Sequence, residues 1–420
     1  MPKIEYITGM DIGSRQITTV VGKFDASNNS LEIIAANRTH CEGIKGGLVL
    51  DIDKTSEAVR RALESIEEQI KIPGGIIDVH VAVRGHHIQG VQDSKKIGIT
   101  RTEKEITSED VESLMQSCRS SQVSDDKEIM IIVPLDYIID NQAGVPNPVG
   151  MEGKVLAVDV YVVTGLTAQN NNVCKSIAKA EYGHEPLTYG LLGLGKVALL
   201  PEEIDMGILL VDLGGETTEI AIYHNGGIRF TKQLDAGYCS DMISNDIAYC
   251  LRCSRTEAKR LKEEYGVASE SSLDDGDTEV EFASVDHREK RKVTKRALME
   301  LIKPRLEEIF EEIKKEVALS SMMNDIPHGV VLTGGGSKLK GIEKVAEEVL
   351  EVPHARPGSI LSVGGNEDII MDPAYFTAIG LLKFVIDDSE QLRSTERTKN
   401  NKADIFSIIS GAFEKLFNKF

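Results

Sequence analysis

Apolar and polar positions alternate through ITGMDIGSRQITTVVGKF at residues 7–24, and LEIIA at 31–35 continues the pattern after Asn28 and Asn29, a pair suited to a turn. The spacing predicts a hairpin meander with glycine at its first bend. A second stretch, MGILLVDLGGETTEIAIYHNGGIRFTKQL at 206–234, repeats the plan with an Asn225-Gly226 turn, and it puts Asp212 where the first copy has Asp11. Between the copies, Ala58, Val59, Ala62, Leu63, Ile66 and Ile70 recur at helical spacing. That predicts a helix over 51–72 covering the first sheet, with Thr55 or Ser56 as its N-cap.

Elsewhere the rhythm breaks. Residues 85–165 carry short strands, a polar helix near 108–117 and the loop GVPNPVG, and are read as an inserted subdomain. Residues 246–325 hold an acidic loop, DDGDTEVE at 274–281, and a Glu- and Lys-rich helix from 295 to 318, and are read as a second, smaller insert. On charge alone that helix is a solvated face laced with i,i+4 pairs. The polar run at 387–403 has nothing to bury and is expected as a flexible linker. DIFSIISGAFEKLFNKF at 404–420 then holds four of the ten phenylalanines.

A chain of 420 residues exceeds a single core, so at least two domains are expected. The 41% hydrophobic and 27% charged fractions are those of a globular chain rather than a disordered one. A net charge of −19 disfavours a general nucleic-acid or anionic-membrane surface and confines any such contact to a local patch. The six cysteines have no framework spacing, and the lone pair Cys250 and Cys253 lacks a second pair or a histidine cluster; reduced thiols are expected. Charged residues interrupt the first apolar stretch, and no run approaches about 20 apolar residues, so neither a signal peptide nor a membrane span is expected.

Three strings carry chemistry: GMDIGS at 9–14, VDLGGETTE at 211–219 and VVLTGGGSK at 330–338. Each takes an apolar strand into a glycine turn, where the absent Cβ lets backbone N–H groups approach phosphate oxygens. One such string is an ordinary turn; the duplication makes two of them halves of a phosphate clamp between domains. Opposed carboxylates at Asp11 and Asp212 would there hold hydrated Mg²⁺.

The order of these strings resembles the phosphate-1, phosphate-2 and adenosine motifs of the actin, Hsp70 and sugar-kinase superfamily. VLTGGGSKLKGIEKVAEEVL, PAYFTAIGLLKF and LIKPRLEEI further resemble the bacterial cell-division FtsA family, over nearly the whole chain. The resemblance implies an α/β, actin-like fold of two duplicated ribonuclease-H-like domains around a nucleotide cleft. The first core would comprise 1–84 and 166–204, with an FtsA-type insert at 85–165. The second would comprise 205–245 and 326–386, with a small subdomain at 246–325. It implies ATP, with phosphates against Gly13, Ser14, Arg15 and Gln16 and against Gly214, Gly215, Glu216 and Thr217. Adenosine would lie against Gly334, Gly335 and Gly336, with Lys338 bordering the base and Lys262 the ribose. Departures stand out: Glu216 replaces a third glycine, Lys259 stands where many relatives carry glutamate, and Gly190 falls nearest to the usual water-positioning side chain. ATP binding with at most weak ATPase activity is expected.

On a helical wheel Ile405, Phe406, Ile409, Phe413, Leu416, Phe417 and Phe420 share one face, and residues 391–420 hold six Lys/Arg against three Asp/Glu. This is the composition of a helix lying in a lipid interface, with docking on protein as the alternative. The family resemblance implies a peripheral protein on the cytoplasmic face of the cell membrane at the septum, polymerising and working with other division proteins. It also implies that the tail of the ring protein FtsZ docks near Arg288, Arg305 and Glu308, which on charge alone are structural salt bridges. A pilus-assembly relative of the PilM type is the alternative, and a small-molecule kinase a more distant one.

Overall fold

The computed structural model describes residues 4–120, 123–285, 290–360 and 362–399. In the first core, strands Ile4–Ile12, Gln16–Asp25 and Ser30–His40 form the expected antiparallel meander, and Asp78–Val83 joins the first strand in parallel. The second core repeats this order with Ile208–Leu213, Thr218–His224 and Gly227–Gln233, joined in parallel by Val330–Thr333. Registers match too, with Asp11 opposite Ala82 and Asp212 opposite Thr333. Asn225 and Gly226, at φ 48° and 76°, make the tight turn between strands of the second copy.

The helix Ile52–Gln69 buries Ala58, Val59, Ala62, Leu63 and Ile66 on the first sheet. Its cap is Asp51, whose carboxylate accepts from the Lys54 N–H at 3.0 Å, and not Thr55 or Ser56. Those two residues lie four and five positions after the cap, inside the helix, where the Thr55 hydroxyl donates back to the Asp51 carbonyl at 2.7 Å.

Residues 85–165 form a four-stranded sheet, in the order Gln89–Gly98, Val155–Leu166, Lys127–Ile139, Gln142–Val145, with the helix Ser108–Arg119 contributing Leu114 and Cys118 to its own apolar core. This insert also leans on the second core. Tyr161 Oη lies 2.8 Å from Thr231 Oγ1, the Gln92 amide donates to the Arg229 carbonyl at 3.0 Å, and Arg229 reaches Asp136 at 3.4 Å.

In the smaller insert, the helix Lys295–Leu319 buries Leu298, Ile302, Leu306, Ile309, Phe310 and Ile313 in the second core's apolar cluster. Its outer face carries ion pairs such as Lys303–Glu307 and Lys315–Glu312, as the solvated reading expects. The six cysteines are all free thiols, with Cys250 exposed and Cys253 buried.

Two differences from the sequence reading concern the helix Phe376–Lys399. The family resemblance places residues 326–386 in the second core, yet Ala378, Ile379, Leu382 and Ile386 pack with Val20, Phe24, Leu31 and Ile33 of the first. The chain thus crosses back, and the apolar face of PAYFTAIGLLKF covers residues of the first sheet that point away from the helix Ile52–Gln69. The helix also continues through 387–399, expected as linker. SEQLRSTERTK contains no Gly or Pro, so a helix nucleated by a buried segment propagates through it at little cost.

The returning helix crosses the helix Gly190–Ala198, which leads from the first core to the second. Gly193 and Gly380 meet there: a Cβ on Gly380 would lie 2.2 Å from the Gly193 carbonyl oxygen. Among the described residues no helix is long and apolar enough to cross a membrane.

Candidate functional site

The two glycine turns face each other across a cleft of about 840 Å3 between the cores. They are copies of one turn: the Gly13 N–H donates to the Gln16 carbonyl at 3.1 Å, and the Gly214 N–H to the Thr217 carbonyl at 2.9 Å. Gly13, Ser14, Arg15, Gln16, Gly214, Gly215, Glu216 and Thr217 all line the cleft, as do Gly334, Gly335, Gly336, Lys338 and Lys262 at its far side. Gly334 requires its glycine, because it sits at φ 77° and a Cβ would stand 2.4 Å from Asp212 Oδ1. Eight Lys/Arg and seven Asp/Glu line the cleft, a small positive excess in a chain of net −19.

Arg15 and Glu216 occupy equivalent positions in the two turns and carry opposite charges. They form an ion pair across the cleft, while Arg15 also reaches Asp241 at 3.5 Å and Glu216 accepts from the Gly46 N–H at 3.3 Å. Ser14 Oγ and Thr217 Oγ1 lie 3.4 Å apart beside them. The Glu216 carboxylate is therefore turned toward the first core. Lys262 is buried and donates to the Ser240 carbonyl and hydroxyl at 2.9 and 2.8 Å; burial lowers its pKa. Lys338 pairs with Asp372 at 2.7 Å, and Lys259 with Glu263 at 3.7 Å.

The floor of the cleft holds a residue that the sequence reading missed. The buried Arg84 guanidinium donates to Asp11 Oδ2 at 2.8 Å, Asp212 Oδ2 at 2.9 Å and Thr377 Oγ1 at 3.2 Å, with Glu219 Oε2 at 3.6 Å. Burial pushes the Asp11 pKa up against the pull of Arg84, and pushes Glu219 up to about 7. Burial alone would lower the Arg84 pKa, but the Asp11, Asp212 and Glu219 carboxylates outweigh it and raise it. The signal was in the duplication: the strand registers make Arg84 the counterpart of Gly335, a position on the cleft.

This arrangement bears on the Mg²⁺ expectation. Asp11 and Asp212 are hard oxygen donors, but Arg84 holds Oδ2 of each, so the residues do not fit a metal ion bound directly between the two; a contact through water, as the sequence suggests, would fall to the remaining oxygens, of which Asp11 Oδ1 is buried without a hydrogen-bond partner. Among the described residues no cluster of three His, Cys, Asp or Glu side chains is set to hold a metal.

Gly190 opens the buried helix leading to the second core, and its absent Cβ faces the Thr377 methyl at 3.0 Å, beside the Arg84 contact. Away from the cleft, Arg305 is engaged by Asp246 at 2.6 and 3.1 Å and by Glu308. Arg288 lies outside the described residues, as do Ile405, Phe406, Ile409, Phe413, Leu416, Phe417 and Phe420.

Two meander sheets of one topology, closing on a cleft lined by paired glycine turns, define an actin-like protein. Solved structures agree on the fold. The type IV pilus PilM–PilN complex superposes with a TM-score of 0.63 at 17% identity, over 89% of this chain and 97% of that one. The ADP-bound MreB5 of Spiroplasma citri gives 0.53 at 12%, over 92% and 98%. The family model "Cell division protein FtsA" matches residues 209–380, and "SHS2 domain inserted in FTSA" matches 85–164. Cell division protein FtsA of Pseudomonas aeruginosa is 31% identical over 90% of this chain and 88% of its own. That of Neisseria meningitidis serogroup B is 32% identical over 90% and 89%. The chain belongs to the FtsA family of cell-division proteins.

Proposed function

We propose that this actin-like cell-division protein binds ATP in the cleft and tethers the FtsZ ring to the cytoplasmic membrane. The observation that carries nucleotide binding is the pair of glycine turns, closed by the same backbone hydrogen bond, facing each other across a cleft with a positive excess. Phosphates would lie against residues 13–16 and 214–217, and adenosine against Gly334, Gly335 and Gly336, with Lys262 and Lys338 at its margins. Entry of the phosphates requires the Arg15–Glu216 pair to part, which frees one guanidinium for them. Where Mg²⁺ accompanies the nucleotide, its ligands are phosphate oxygens and water.

Gly190 offers no side chain to orient an attacking water, so turnover is slow and the bound nucleotide acts by stabilising one relation between the cores. Head-to-tail polymerisation through a heterologous interface follows the actin-like reading. The amphipathic face at 404–420 inserts into lipid at the septum. The FtsZ tail docks at the small subdomain, where an acidic peptide competes with Asp246 for Arg305. Other division proteins assemble on the same scaffold.

A pilus-assembly role has less support, since the likeness to the PilM–PilN complex extends to the fold while the curated relatives at 31–32% identity are cell-division proteins. Co-sedimentation with anionic vesicles and an FtsZ tail peptide, with and without ATP and with and without residues 404–420, tests the whole reading. Loss of vesicle binding on truncation supports it; unchanged sedimentation refutes the tether.

A further inference from the structure

The floor of the cleft presents Asp11 and Asp212, two carboxylates at the place where the phosphates of a nucleotide would approach, while Glu219 is buried away from the lining. Unneutralised, they would repel a triphosphate strongly, because charges a few ångströms apart in a partly desolvated cleft interact far more than in water. A divalent ion shared by the carboxylates and the phosphates is one remedy. Here the position between Asp11 and Asp212 is taken by Arg84, which hydrogen-bonds one oxygen of each and is anchored by Thr377.

The guanidinium is well suited to that post. It cannot be deprotonated at physiological pH, its planar fork reaches two carboxylates at once, and it is weakly hydrated and so tolerates burial. Arg84 is 7% exposed, at the end of a strand in the first core, while Asp212 belongs to the second. The same ion pair thus holds the two cores together at the floor.

We propose that Arg84 is the resident counter-cation of this cleft, taking the place of a carboxylate-bound metal ion, so that nucleotide binding does not depend on Mg²⁺. The inference rests on the nucleotide-binding reading above and deepens it. Any Mg²⁺ that arrives does so on the phosphates and contributes little to affinity.

The test is equilibrium binding of ATP to the full chain, in buffer with Mg²⁺ and in buffer with EDTA, for wild type, Arg84→Gln and Arg84→Lys. In wild type the Kd is expected to shift by less than about threefold on removing Mg²⁺, because the neutralising charge is part of the protein. In Arg84→Gln, which removes that charge and leaves the acids, Kd in EDTA should rise by about tenfold or more, and Mg²⁺ should restore much of it. Arg84→Lys keeps a positive charge and should stay insensitive. Thermal melts with Mg²⁺ alone give a readout independent of ATP: Mg²⁺ should stabilise Arg84→Gln and leave wild type unchanged.

A wild-type Kd that weakens by about tenfold or more in EDTA overturns the proposal while leaving nucleotide binding intact. No ATP binding by wild type in either buffer overturns both. Should Arg84→Gln not fold, the wild-type and Arg84→Lys comparisons still decide between these outcomes.

Discussion

Replacing Gly380 by alanine sets two physical effects of opposite sign against each other. In a helix interior without close neighbours, Gly→Ala stabilises by about 1 kcal/mol, since alanine loses less backbone entropy. Gly380 has close neighbours: the new Cβ would stand 2.2 Å from the Gly193 carbonyl oxygen, 2.5 Å from its carbon and 3.0 Å from the Leu194 nitrogen. Ordinary contact begins near 3.4 Å, so the two helices must separate by roughly 1.2 Å. The obstructing atoms are backbone, which no rotamer change relieves. Overpacking of this kind costs about 1–3 kcal/mol, with the upper part of that range expected here, leaving a net loss of about 2 kcal/mol. If the first core melts as a unit of about 150–250 residues, its Tm falls by roughly 4–8 °C. Differential scanning fluorimetry of wild type, Gly380→Ala, Gly193→Ala and the double variant reads this directly. Because both substitutions enter one contact, their effects should be coupled by about 1 kcal/mol rather than additive. A Gly380→Ala protein with an unchanged or higher Tm would refute the reasoning, since the helix-propensity gain would then have met no steric opposition.

Three further outcomes follow from the geometry. Glu216→Gln removes the partner that holds Arg15 and should tighten ATP binding several-fold in a fluorescence titration; weaker binding would mean that Glu216 helps the ligand. Burial pushes His80 down to about 4 from an ordinary value of 6.5, so between those values the unfolded chain takes up a proton that the folded one refuses. Stability is therefore lost as pH falls through that window, by up to about 3 kcal/mol, and His80→Asn should flatten the difference in denaturant midpoints between pH 7 and pH 4.5. Phe413→Glu places a charge on the apolar face of the tail and should abolish sedimentation with anionic vesicles; retention would favour docking on protein instead.

The sequence made the duplicated meander legible because period-2 alternation and glycine bends recur at equivalent places, and the strand registers then set Asp11 and Asp212 in matching positions. The two glycine turns of the cleft were legible for the same reason, whereas Lys262 and Lys338 came only with the family resemblance. Arg84 was not legible, because VHVAVRG reads as one more buried strand and its partners lie 73 and 128 residues away. The chain's return to the first core was also hidden: an apolar helical face at 376–386 states that something must cover it, not which sheet does. At Asp51 the error was local, a choice among adjacent capping residues that only the backbone geometry resolves.

The inserted subdomain hangs from the first core by its chain and rests on the second through Tyr161–Thr231, Gln92–Arg229 and Arg229–Asp136. They add to the contacts that Arg84–Asp212 and Arg15–Glu216 make between the cores at the cleft. The insert is thus a further support across the cleft, and any change in the angle between the cores must strain or break its contacts with the second.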